Sequence, residues 1–156
     1  MVNRRRLLLG RSFVLLLGIR LGLALLSFQR LRKGLVQISR VTSYTQQKLP
    51  RDIDDTNRVV RQVVWAVEKS AQLMPGGAKC LAKALATQVL LARRGCEGEL
   101  KIGVAKNDQG QLEAHAWIVK DQQVIMGKLP NLERFTSLPS IENLPVRAAR
   151  TKEAVD

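Results

Sequence analysis

The chain has 156 residues, two cysteines, one histidine and a formal charge of +13, which suits one ordinary domain with an appendage. Two cysteines are too few for a disulfide framework, and a lone histidine gives no metal-type Cys/His spacing, so neither a disulfide scaffold nor a metal centre is expected. Residues 1–51 hold 11 basic and no acidic residues, whereas the rest holds 15 basic against 13 acidic, which removes the electrostatic case for nucleic-acid binding by the globular part.

In chain order, residues 1–40 read as a basic, apolar helical extension. Its run from Ser12 to Phe28 follows Arg4, Arg5 and Arg6, but Arg20 interrupts it where a charge costs about 2.5–3.5 kcal/mol on membrane-insertion scales. No small-residue cleavage pattern follows Phe28. The extension is therefore expected to lie on an anionic membrane or a partner, or else to pack on its own domain, in preference to a full span. With no clean secretory signal, the expected location is cytoplasmic, with membrane association through residues 1–40. Residues 41–54 lose apolar periodicity and read as a linker. Residues 55–156 are taken as the domain.

Within that domain, Val59, Val60, Val63, Val64, Ala66 and Val67 recur at helical spacing, predicting a first helix over 55–73 capped by Asp54, Asp55 or Thr56. Met74-Pro75-Gly76-Gly77 breaks the pattern. Leu81, Ala84, Leu85, Val89, Leu90 and Leu91 restart it, up to a basic last turn and a capping Gly95. Short β-like runs follow at 100–104, 114–119 and 124–126, with turns at 107–110 and 121–122. Helices first and an antiparallel sheet afterwards is the α+β arrangement.

Cys80 falls at the start of the second helix, where free N–H groups and the helix dipole favour a thiolate and face a developing oxyanion. His115 stands on a strand between two alanines, which leave its ring accessible as a base. Set against this, a cysteine in an Ala/Leu-rich helix is ordinarily a small buried hydrophobe, and a lone strand histidine is ordinarily packing. Cys96 follows the helix end beside Glu97, where thiolate is disfavoured, and reads as structural. Trp65 and Trp117 read as core.

The run CLAKALATQVLLARRG, followed by LKIGVAKNDQGQLEAHAWIV, closely resembles the leader peptidases of lasso-peptide biosynthesis. These belong to the microcin-processing group of transglutaminase-like (papain-like) cysteine proteases. The resemblance extends more weakly to Trp65-Ala66-Val67-Glu68, to the Leu/Arg-rich extension and to Leu132-Glu133-Arg134-Phe135. It implies a hydrolase of ribosomal-peptide (RiPP) maturation that cleaves the leader peptide from a lasso precursor through a Cys80 thioester, with His115 as base. It also implies two partners, a small leader-binding protein and a lasso cyclase that uses ATP. No cofactor is implied, and the chain has no phosphate-binding glycine loop. The family completes its triad with an aspartate about a dozen residues after the histidine. Here that position is Gly127, which leaves Asp121, Asn131 and Glu133 as substitutes and the third role unassigned. The alternative expectation is a non-catalytic or triad-impaired scaffold that docks precursor, partners or membrane.

Overall fold

A computed structural model describes residues 2–25 and 52–138. Residues 26–40 of the extension, linker residues 41–51 and the chain after Leu138 lie outside the described residues. Among the described residues, three helices, α1 (Val2–Leu25), α2 (Ile53–Leu73) and α3 (Cys80–Ala92), precede β1 (Glu99–Lys106), β2 (Leu112–Lys120), β3 (Gln123–Met126), a short 3-10 turn (Leu132–Arg134) and β4 (Thr136–Ser137). The sheet is antiparallel, in the order β3-β2-β1-β4. This is the α+β arrangement expected, with the apolar helix at the N-terminus.

α2 begins two residues before the expected start. Its cap is Asp52, whose extended backbone lets the carboxylate accept the Asp55 N–H at 2.7 Å, while the Thr56 hydroxyl donates to the Asp52 carbonyl. Asp54, Asp55 and Thr56 therefore lie inside the first turn. α3 ends as expected: the Cys96 N–H reaches the Leu91 carbonyl and the Gly95 N–H reaches that of Ala92, with Gly95 at φ +68°. The β1–β2 turn is organised by Asn107, whose side-chain oxygen accepts from the Gln109 and Gln111 N–H groups. A two-residue turn at Asp121-Gln122 joins β2 to β3.

One core joins all three helices to one face of the sheet. Val63 and Val67 of α2, Leu85, Leu90 and Leu91 of α3, and Ala116, Ile118 and Met126 of the sheet are buried in it. Leu16 and Ile19 of α1 are 0% and 1% exposed in the same core. Each such side chain contributes about 1.5–3 kcal/mol on burial, which is what seats α1 on the domain. Ser70 of α2 strengthens the contact by donating to the Leu9 carbonyl. The stretch Arg5–Leu25 is long and apolar enough to cross a membrane by length and composition. Leu7, Val14, Leu17, Leu21 and Leu25 on it remain exposed.

Candidate active site

Cys80 is the first residue of α3. Lys79 precedes it in extended conformation and makes no side-chain cap, so the first main-chain bond of the helix runs from Lys83 N–H to Lys79 carbonyl. The N–H groups of the opening turn are left for a ligand or solvent. The thiol is half-buried and free. The loop before it turns through Gly76 and Gly77, at φ +71° and +67°, a left-handed conformation that larger residues resist. That loop is tied by the Gly77 N–H to the Met74 carbonyl. It is tied again by Arg20 of α1, whose Nη1 donates to the Pro75 and Gly77 carbonyls at 2.6 and 3.1 Å.

His115 lies on β2 opposite Gly103 of β1. Because strand side chains alternate, His115 shares the face of Trp117, opposite to Ala116 and Ile118 in the helix-side core. Its ring stacks on Trp117 at 6.0 Å between centroids and meets Phe135 at 5.6 Å. The Phe135 ring is in turn held by the Arg134 guanidinium 4.8 Å above it, and Arg134 pairs with Glu113.

The Nε2 atom of His115 stands 2.7 Å from the main-chain oxygen of Gly127. A carbonyl only accepts, so Nε2 carries the proton, and a neutral ring then has its lone pair on Nδ1. The orienting partner absent from the side chain at position 127 is thus supplied by the main chain at the same position. Asp121, Asn131 and Glu133 do not take the role: Asp121 pairs with Lys120, and none of the three bonds the imidazole. Gly127 has φ +79°, and a Cβ there would stand 2.7 Å from the Ala116 carbonyl oxygen and 3.1 Å from Trp117 Cα. A carboxylate at this position requires the backbone to move.

Among the described residues no hydrogen bond joins Cys80 Sγ to the imidazole. The two are carried by elements that pack together, α3 on β2, with the thiol against the helix-side core and the ring on the Trp117 face. Cys96 is buried and unpaired, and burial pushes its thiol up from the ordinary range. Trp117 is core, but Trp65 is 43% exposed, a departure from the expectation for both tryptophans, because it projects from the outer side of α2. Three contributors were not visible as site residues in the sequence: Arg20, the Gly127 carbonyl and Phe135. Arg20 had one signal, a charge inside an apolar run. Phe135 lay in a segment already noted for its resemblance.

Residues 15–140 match the sequence profile of the transglutaminase-like superfamily. The match starts inside α1 and runs through the whole sheet. No curated protein and no solved structure matches the chain.

Proposed function

The chain belongs to the transglutaminase-like superfamily, which includes cysteine peptidases, and from that premise we propose that it cleaves the leader peptide from a lasso-peptide precursor. The observation that carries the reading is the state of His115: its Nε2–H is spent on the Gly127 carbonyl, which leaves Nδ1 as the base. Cys80 is its thiol partner at an uncapped helix start.

In this mechanism Nδ1 of His115 takes the thiol proton as Cys80 Sγ bonds to the scissile carbonyl carbon. Unbonded N–H groups of the first turn of α3 face the oxyanion. Nδ1 then returns the proton to the leaving amine, the C–N bond breaks and a thioester remains. Water, deprotonated at Nδ1, hydrolyses the thioester and restores the thiol. The mechanism requires Sγ and Nδ1 to meet in the substrate complex. This takes a rearrangement and not only the tightening of a hydrogen bond, because the thiol packs on the helix side of the sheet and the ring lies on the Trp117 face. The proposed partners are the precursor leader, a small leader-binding protein and the lasso cyclase. The proposed location is cytoplasmic, with the exposed apolar stripe of basic α1 as the attachment to a membrane surface.

The second reading, a scaffold that holds precursor and partners without cutting, draws on the missing bond between Cys80 and His115. Mass spectrometry of the cognate precursor, incubated with this chain and the leader-binding protein, separates them. The peptidase reading requires cleavage by the parent and none by Cys80→Ala. No cleavage by the parent while the precursor stays bound favours the scaffold, and cleavage retained in a folded Cys80→Ala variant contradicts Cys80 as the nucleophile and the scaffold alike.

A further inference from the structure

We propose that Arg20, in the middle of the apolar N-terminal helix, is a positioning residue for Cys80. The two residues are 60 positions apart, yet the six-residue connection from α2 to α3 passes directly under the guanidinium. Nη1 bonds the carbonyls of Pro75 and Gly77, and a Cβ on Gly76 between them would stand 3.4 Å from Nη2. Hydrogen bonds from a charged donor are about twice as strong as neutral ones, and the two N–H groups of Nη1 reach both carbonyls from one nitrogen.

The clamp bears on a weakly determined part of the chain. Between Leu73 and Cys80 the described residues form no regular element, and two adjacent glycines adopt left-handed conformations that leave the unfolded chain many alternatives. No side chain caps α3. The Met74–Gly77 turn and the two bonds from Arg20 act together with Met74, buried in the core, and Ala78, packed against it, in fixing the direction in which Cys80 leaves the loop. Arg20 is itself held in place because Leu16 and Ile19, on the same helix, are sealed in the core. The charge that interrupts the apolar run therefore couples α1 to the loop that leads into Cys80.

The test compares parent, Arg20→Met and Arg20→Lys in the full chain, following amide exchange by NMR at Gly77 and Lys83, whose N–H groups bond Met74 and Lys79. Arg20→Met keeps an apolar stem and removes both donors; exchange at these two amides is expected to rise at least tenfold, with strand β2 unchanged, and lysine restores part of the protection. Unchanged exchange at Gly77 and Lys83 overturns the proposal. So does a uniform rise through the domain, which marks a contribution to global stability alone. This readout needs no substrate, so it stands apart from the peptidase reading. Where the parent cleaves precursor, Arg20→Met is expected to lower kcat at least tenfold with KM within twofold, and an unchanged kcat overturns the link to Cys80.

Discussion

Cys80 opens a helix without a cap, behind a glycine loop held by an arginine from another helix, whereas His115 sits in mid-strand between two rings with a main-chain carbonyl on Nε2. The proposed base is thus built into the sheet, where register and packing leave it one orientation. The proposed nucleophile depends in part on a few polar bonds at the edge of the helical layer, where local opening costs least. Under the proposed mechanism, a rigid base and an adjustable nucleophile fit a site that is completed when substrate binds.

The largest effects should come from the reacting groups. Cys80→Ala is expected to reduce precursor cleavage by about 1000-fold or more, and His115→Ala by about 100-fold or more, as read by mass spectrometry, with both variants folded by circular dichroism. Equal activity in either variant would break the pairing.

Next comes the rigid half. Gly127→Ala and Gly127→Asp each place a Cβ against the Ala116 carbonyl at positive φ, and should lose about 2–4 kcal/mol in urea unfolding. Gly127→Asp should not increase cleavage, since the shift needed to fit the carboxylate displaces the carbonyl already on His115. A stable and faster Gly127→Asp would show that the carbonyl is a poor substitute.

On α1, Leu16→Ala should cost about 2–4 kcal/mol, while Val14→Ala, on the 69% exposed side, should stay within about 0.5 kcal/mol. Equal, small effects would mean that α1 does not hold the loop before Cys80 in solution.

The smallest effect concerns Cys96. Its thiol is raised by burial, so the folded state holds the proton more tightly than the unfolded state does. The stabilisation is complete below the ordinary thiol range and is lost as pH rises through and above it. Urea midpoints of the parent should therefore fall more steeply in alkaline solution than those of Cys96→Ala.

Much of this arrangement was legible locally. Apolar spacing located α2 and α3, Gly95 marked the end of α3, and the turn residues separated β1, β2 and β3. The Asp52 cap lay within the segment taken for linker, because a polar stretch does not reveal which carboxylate will turn back onto a free N–H. The short pairing of β4 with β1 was missed for a related reason: two residues carry no period. The sequence pointed to Cys80 and His115 as the candidate pair, and the structure puts them at a helix start and on a strand that pack together. The contacts around both are made between residues apart in sequence, Arg20 with Pro75 in the loop before Cys80 and His115 with the main chain of Gly127. A carbonyl in the third role leaves no trace in residue type beyond the glycine that permits the approach.

His115 is the only histidine in the chain, so nitrogen-detected NMR of its imidazole reads the central feature of the site without ambiguity and without substrate. At a pH where the ring is neutral, the Gly127 contact predicts a single tautomer with the proton on Nε2 and an unprotonated Nδ1. A ring protonated on Nδ1, or one exchanging freely between tautomers, would contradict a base oriented by the Gly127 carbonyl.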